Sequence, residues 1–355
     1  MIDILPIDVQ PIAKSRIGEV DFNDLKFGKV FADHMFVADY SDGHWHNFQI
    51  VPYGPLHFSP AMSALHYGQA IFEGMKAYRT ADDSIVVFRP DANLERINRS
   101  AERLCMPTVP EEVFMSGLQQ LVQLDQKWVP TQENSALYIR PFIFATDEFV
   151  GIRPSETYKF IIFTCPVGAY YSEPVKVRVE SYYTRAAEGG TGFSKAAGNY
   201  AGALYPTKLA QQDGFHQLLW TDSKEHKYFE ESGTMNLMFV INNTIVTPAL
   251  SSSILAGVTR DSVLTLAKEW GMNVEERRVS VEEVITAIKA GTLQEAFGVG
   301  TAAVIAQIAL INHEDTNYTL PAIETRQFSN KVHKVLDDIK HCRVEDKHKW
   351  IQKIS

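Results

Sequence analysis

A two-domain α+β protein is what this sequence predicts, and three observations predict it. The chain has 355 residues, enough for one large or two ordinary domains. Strand-like and helix-like apolar periods alternate along both halves, with no internal repeat and no low-complexity segment. The periodicity fades once, between Tyr171 and Thr184, where Ser172-Glu173-Pro174 reads as a crossover. That sets an N-terminal α+β domain at 1–172, a linker at 173–184 and a C-terminal α+β domain at 185–355.

The elements follow in order. Residues 27–39 and 84–88 are rich in β-branched and aromatic side chains and read as strands, with Ser41-Asp42-Gly43 as a bounding turn. Residues 91–106 read as an amphipathic helix. Leu94, Ile97, Ala101 and Leu104 recur at helical spacing, and Asp91 is placed to cap it. Residues 113–129 form a second helix of the same kind. Residues 138–144 and 158–166 read as buried strands, as do 217–221 and 238–247 in the second half. Residues 259–270 read as a helix with Gly271 as its stop. Residues 326–354 read as largely charged helix.

Composition narrows the class. The hydrophobic share is 45% and the charged share 22%, values of a soluble globular protein with a full core. The net charge of −9 has no like-charge block behind it and argues against a nucleic-acid surface. The start carries Asp3, Pro6 and Asp8 where a signal peptide needs a cationic flank and an apolar run. The longest apolar stretch, 160–171, is too short for a membrane span and contains Pro166. Cys105, Cys165 and Cys342 are sparse and odd in number, which points to reduced thiols and a cytoplasmic setting. His44-Trp45-His46 puts two imidazoles on one side of a strand, but no acid or thiol set joins them, so no metal site is expected.

Five stretches carry possible chemistry. Lys195 stands in Gly189-Gly190-Thr191-Gly192-Phe193-Ser194-Lys195-Ala196-Ala197-Gly198. Small neighbours let the backbone pass close to a bulky ligand. A desolvated lysine sheds its proton readily and becomes a nucleophile and base toward a carbonyl cofactor. The stretch is not a P-loop, because Ala196 follows the lysine. Leu255-Ala256-Gly257-Val258-Thr259 leads into a helix, and a helix start offers free N–H groups to a phosphate. An ordinary Thr259 cap is the plainer alternative. Phe297-Gly298-Val299-Gly300-Thr301-Ala302-Ala303 resembles a dinucleotide fingerprint, yet only 55 residues follow Gly300, and residues 304–311 read at least as well as a strand as they do as the long helix that motif needs. Glu230-Glu231-Ser232-Gly233-Thr234 leads into an apolar run, and a carboxylate at a buried strand is costly unless paired. On those residues alone, a turn carboxylate facing water reads better. Arg96 is either a phosphate ligand or part of a solvated helix face, and spacing does not decide.

In this order the stretches resemble the branched-chain amino acid aminotransferases, of the fold-type IV (D-amino acid aminotransferase-like) class of pyridoxal phosphate enzymes. The resemblance runs from about Phe27 to Ile308. It rests on Leu65-His66-Tyr67-Gly68 with Phe72-Glu73-Gly74-Met75-Lys76, on Tyr138-Ile139-Arg140-Pro141 and on Cys165-Pro166-Val167-Gly168-Ala169-Tyr170. It continues with Lys195 and Gly198-Asn199-Tyr200, Glu231 with Gly233-Thr234-Met235-Asn236, Gly257-Val258-Thr259-Arg260 and Gly300-Thr301-Ala302.

The resemblance implies pyridoxal 5'-phosphate bound by a Schiff base to Lys195, carried by the C-terminal domain. It implies Glu231 beside the pyridine nitrogen and Tyr200 beside the phenolic oxygen. Arg96, Val258, Thr259 and Thr301 match phosphate binders, Leu255 lies against the ring, and Thr234 and Gly257 belong to the same cofactor set. Phe27, Tyr67, Phe72, Tyr138 and Tyr170 resemble an apolar substrate pocket. Arg140 matches the arginine that receives the distal carboxylate of glutamate. Thr301 and Ala302 would offer N–H groups to the α-carboxylate. In the family the residue matching Tyr67 comes from the neighbouring subunit, which implies a homodimer. The implied reaction moves the amino group between leucine, isoleucine or valine and 2-oxoglutarate. D-amino acid aminotransferase and aminodeoxychorismate lyase share the fold and are the rival enzymes. A dinucleotide-dependent oxidoreductase and a non-catalytic binding protein are the rivals from other classes. Mammalian members carry a C-x-x-C redox pair after the last threonine, where this chain has Ala303 and Ala306.

Overall fold

The computed structural model describes residues 5–171 and 173–354, in two compact units. One unit holds the chain up to Tyr170, a short return at Ser194–Ala197, and the tail from Asp338. The other holds Tyr171–Phe193 and Gly198–Asp337. Residues 1–4 of the acidic start and Ser172 of the expected crossover lie outside the described residues.

In the first unit the strands are β1 (Asp8–Val9), β2 (His34–Ser41), β3 (His44–Pro52), β4 (Ala70–Phe72), β5 (Met75–Arg79), β6 (Ile85–Phe88), β7 (Ala136–Ala145) and β8 (Tyr158–Val167). They run in the order β1-β3-β2-β8-β7-β5-β6, with β4 on β7. The helices are α1 (Ser63–Tyr67), α2 (Pro90–Arg103) and α3 (Glu111–Leu124). The apolar stripes of α2 and α3, including Ile97, Phe114 and Leu118, are buried in one cluster with Phe36 and Phe160 of the sheet. The opposite face of the central strands carries Tyr138 and Cys165, which are opposite each other in register and meet Phe27.

Three local expectations change. Helix α2 begins with Pro90, whose missing N–H costs nothing at a helix start, so Asp91 falls in the first turn rather than at the cap. Helix α3 stops at Leu124. The buried Asp125 carboxylate there accepts the His34 backbone N–H at 2.9 Å and meets His34 Nδ1 at 2.6 Å, and a short 3-10 turn, Gln126–Trp128, follows. The first long strand begins at His34 rather than at Phe27.

The second unit contains β9 (Val175–Val179), α4 (Ala197–Gln212, its first residue counted with the first unit), β10 (Gln217–Thr221), β11 (Phe229–Ser232), β12 (Met235–Ile241) and β13 (Thr244–Pro248). It continues with α5 (Val258–Glu269), β14 (Asn273–Arg277), α6 (Val281–Lys289), β15 (Leu293–Gly300), β16 (Val304–His313), β17 (Thr316–Thr319) and α7 (Phe328–Lys340, its last three residues counted with the first unit). Its sheet runs β11-β10-β9-β16-β15-β12-β13-β14, with β17 on β16. The tail then adds β18 (Ile351–Lys353) antiparallel to β6 of the first sheet.

Four corrections follow. The stretch read as a linker, 173–184, contains β9, whose Val175, Val177 and Val179 are buried between β10 and β16. Lys195 belongs by its contacts to the first unit rather than to a C-terminal domain. Residues 238–247 are a hairpin, turned at Asn242 and Asn243, both at positive φ. The charged tail is one helix and then a strand, not helix throughout.

Candidate active site

In the first unit Lys195 is fixed by its backbone. Its N–H donates to Ser100 Oγ at 2.9 Å, and its carbonyl accepts the Phe72 N–H at 3.1 Å. Next to it, Ala196 bridges Ile71 of β4. The Lys195 amine lies 5.0 Å from the centre of the Phe72 ring. Two elements, α2 and the edge of the sheet, thus hold the turn that carries the lysine.

Glu73, fully buried, is the acid of this neighbourhood. Arg96 grips it with two bonds, Nε to Oε1 at 2.6 Å and Nη2 to Oε2 at 2.8 Å. Asn93 Nδ2 and the Gly74 N–H also donate to Oε2. Burial pushes this carboxyl upward, but the charge and hydrogen bonds of Arg96, with the charge of Lys195, more than offset it and hold the group below its usual range. Arg96 is therefore neither on a solvated face nor committed to phosphate alone. The depressed Glu73 contributes stability that is present above the unfolded carboxyl value of 4.5 and is lost as pH falls through its lower folded value. Glu73→Gln should therefore cost about 1.5–3 kcal/mol at pH 7, as expected of a charged hydrogen-bonded pair. Melting midpoints of the two proteins, compared from pH 7 down to pH 3, should converge.

The aromatic set expected around a substrate is assembled on one face of this unit. Phe27 meets Tyr138 edge-on at 5.0 Å and Tyr170 at 5.1 Å. Arg140 Nη2 donates to the Tyr138 hydroxyl at 3.0 Å. Its guanidinium lies 4.6 Å from the Phe72 ring centre and 5.2 Å from that of Tyr138. Gly74 makes room for this, since a Cβ there would fall 2.0 Å from the Tyr138 hydroxyl. Tyr67 is not part of that cluster. It ends α1 and is exposed, before Gly68 in the left-handed region.

The second unit carries the other expected residues. Glu231 on β11 is buried, and its Oε1 accepts the Leu255 N–H at 2.8 Å. Arg185 Nη2 lies 3.2 Å from the same oxygen. The water-facing reading of this carboxylate is thus corrected: it is a buried, paired group. Helix α5 begins after Gly257, with no side-chain cap bond. Thr259 is buried in its first turn and is not the cap. A Cβ at Gly257 would fall 2.0 Å from Asn236 Oδ1, and Asn236 Nδ2 holds the Leu255 carbonyl at 2.8 Å. An uncapped helix start behind a tight glycine turn suits a phosphate group. Thr301 and Ala302 lie in the turn between β15 and β16, where Gly300 pairs with Val304. Val304 sits at φ 59, a strained place for a β-branched residue. Tyr200 lies on α4, and Asn199 is tied by its side chain to Thr191. Thr234 is exposed at the tip between β11 and β12.

Sequence reasoning missed Glu73, Ser100, Arg185 and Asn236. The pair Glu230-Glu231 ahead of an apolar run was the one available signal, because two acids there demand a buried cation.

The thiols divide. Burial pushes the Cys165 thiol up to about 11, despite the pull of Arg140. Cys105 and Cys342 are exposed. Mild peroxide should therefore modify Cys105 ahead of Cys342, whose thiol is pushed up by burial and by the charges of Asp82 and Asp346, without lowering turnover. Peptide masses and an assay on the same sample check this, and inhibition reversed by a dithiol would contradict it.

Comparison with known proteins adds to this geometry. Residues 70–311 match the family described as amino-transferase class IV. The chain is 48% identical over 339 residues to branched-chain-amino-acid aminotransferase 2 of Bacillus subtilis (strain 168), covering 94% of this chain and 93% of that protein. It is 44% identical over 338 residues to the branched-chain-amino-acid aminotransferase of Mycolicibacterium smegmatis, covering 93% and 92%. Among solved structures it is similar to the Escherichia coli branched-chain amino acid aminotransferase, with a TM-score of 0.73 and 25% identity over 91% of this chain and 99% of that one. Another branched-chain amino acid aminotransferase, from T.th. and solved with pyridoxamine 5'-phosphate, is similar at a TM-score of 0.73 and 25% identity, over 90% and 98% of the two chains.

Proposed function

This chain belongs to the class IV amino-transferase family, and on that premise we propose that it moves an amino group reversibly between leucine, isoleucine or valine and 2-oxoglutarate, using pyridoxal 5'-phosphate. The observation that carries this reading is Lys195, held by Ser100 and Phe72 with its amine over an aromatic ring. When bound, the cofactor supplies an electrophilic carbonyl carbon and a ring that draws electrons from the substrate's Cα.

The chain's residues do the rest. Lys195 holds the cofactor covalently, then takes the Cα proton and returns it one carbon away. Glu231 holds the proton of the ring nitrogen, for which a buried carboxylate anchored at Oε1 is suited. Val258 and Thr259 at the start of α5 receive the phosphate, with Thr301 and Arg96 as further donors. Tyr200 meets the phenolic oxygen, Leu255 packs against the ring, and Thr234 and Gly257 complete the set. Phe27, Phe72, Tyr138 and Tyr170 wall off water and seat a branched side chain. Arg140 receives the distal carboxylate of glutamate, and the N–H groups of Thr301 and Ala302 receive the α-carboxylate.

Tyr67 joins the pocket of a second copy in a homodimer. The exposure of Leu65, Tyr67, Phe149, Val150 and Ile152 supports this. Met62 and Glu148 bridge the two segments that carry them. Three free thiols fit a cytoplasmic setting. Among the described residues no helix is long and apolar enough to cross a membrane.

Borohydride reduction of the loaded protein should fix a phosphopyridoxyl label on Lys195, located by peptide mass. A label elsewhere overturns the assignment. Glu231→Gln should lower turnover far more than cofactor affinity. The amide keeps the shape and one acceptor but cannot stabilise a protonated ring. Parallel turnover and cofactor titrations check this, and an unchanged rate means that the ring nitrogen has another partner.

A further inference from the structure

Around Glu231 the second unit gathers more charge than the reaction accounts for. Glu230, its chain neighbour, is also buried. Arg185 is buried too, with 8% of its side chain exposed. Its Nη2 meets Glu231 Oε1 at 3.2 Å and also donates to the Ser253 carbonyl. The Ser253 hydroxyl donates to Glu230 Oε1 and lies 2.9 Å from the Ser251 hydroxyl. Two residues on, the Leu255 N–H donates to Glu231 Oε1. One loop, 251–255, is thus gripped by both carboxylates, and Ser253 ties one of them to the guanidinium.

We propose that Arg185 is a positioning residue for Glu231, aligned for that task by the Ser253 carbonyl and, behind it, by the Glu230–Ser253 bond. This rests on the reading of Glu231 as the partner of the ring nitrogen. With the Leu255 N–H bonded to Oε1 and the Arg185 guanidinium 3.2 Å from the same oxygen, the carboxylate cannot turn about its own axis without weakening one or the other. Its plane is therefore set before any ligand arrives. The guanidinium supplies the counter-charge that a buried carboxylate needs when no ring is present. The Gly192 and Ser253 carbonyls accept from the same Nη2 and hold the guanidinium in place, whereas a lysine would supply the charge on a freely turning ammonium. Burial, and then the charge of Glu231, push the Glu230 carboxyl upward, against the pull of Arg185 and the Ser253 bond.

The test is a double-variant cycle on the full-length holoenzyme: Arg185→Gln, Arg185→Lys, Glu231→Gln, and Arg185→Gln with Glu231→Gln. Turnover, KM for leucine and the pH dependence of the bound cofactor's visible band are measured. The affinity of each full-length apoprotein for pyridoxamine 5'-phosphate is read by tryptophan fluorescence. Arg185→Gln should lower kcat by about 100-fold, the scale of a small misplacement, with KM little changed. Its visible band should change at a pH shifted from that of the parent, and Arg185→Lys should recover part of both. The double variant should be no slower than Glu231→Gln alone. If the two losses multiply, or if Arg185→Gln matches the parent in rate and band, Arg185 does not act through Glu231 and the inference is overturned. If Arg185→Gln fails to fold, the lysine variant carries the same comparison. An unchanged rate in Glu231→Gln overturns the underlying reading and takes this inference with it, an outcome distinct from the other two.

Discussion

Lys195→Ala is expected to leave a folded protein with no measurable transamination. The lysine is asked to do two things that alanine cannot: bond the cofactor's carbonyl and carry a proton to and from Cα. General acid–base work alone accounts for about 10²- to 10⁴-fold, and loss of the covalent partner adds to it. The fold has little to lose. Both backbone bonds of residue 195, to Ser100 Oγ and from the Phe72 N–H, survive the substitution. The substitution removes the contact of the amine with the Phe72 ring, at 5.0 Å, which contributes about 0.5–1 kcal/mol at a partly exposed site, and the positive charge beside Glu73. Arginine there should fail as well, since a guanidinium neither forms the bond nor gives up its proton. Turnover and a thermal melt on the same preparation decide the matter. A variant that folds and turns over at a near-normal rate removes Lys195 from the chemistry.

The sequence by itself marks this lysine and does not mark Arg185. Lys195 stands among residues too small to screen it, and its neighbours fall in an ordered series of motifs, so local sequence carries the information. The role of Arg185 lies in a contact with Glu231 that only the folded second unit creates. Helices α2, α3 and α5 were legible for the same local reason, an apolar stripe at helical spacing. The end of α3 was not, because Asp125 is claimed by His34, a residue far away in the chain. Strand β9 was misread as linker although Val175, Val177 and Val179 alternate with Lys176 and Arg178. The Ser-Glu-Pro cluster before it masked a short central strand. Strand β18 was lost because three residues pairing with β6 have no period of their own. The Asn242-Asn243 turn has a recognisable chemistry, whereas Val304 at positive φ contradicts local preference and no sequence rule finds it. Misreading Glu231 as a solvated turn had the same root: its burial is set by strands that pair around it.

Arg140→Met should separate the two substrate classes. Among the described residues Arg140 makes one hydrogen bond, to the Tyr138 hydroxyl, and it rests against Phe72 and Tyr138. Its buried Nε has no hydrogen-bond partner among the described residues. A guanidinium in that state has donors to spare for an arriving carboxylate, and aromatic faces tolerate its charge meanwhile. Glutamate and 2-oxoglutarate bring such a carboxylate. Leucine and its oxo acid bring a branched apolar chain that meets the walls of Phe27, Phe72, Tyr138 and Tyr170. Replacing the charge by a thioether of similar length leaves the glutamate carboxylate unpaired in a dry pocket, a loss of about 3–5 kcal/mol. An apolar chain loses part of one contact, on the order of 1–3 kcal/mol at most, and methionine restores some of that area. The two halves of the reaction can be run separately and followed by cofactor absorbance, so each loss is read on its own. The glutamate half should slow by the larger factor at unchanged thermal stability. Equal losses in both halves would mean that Arg140 serves the fold or the cofactor, and the pocket's dual preference would then need another cation.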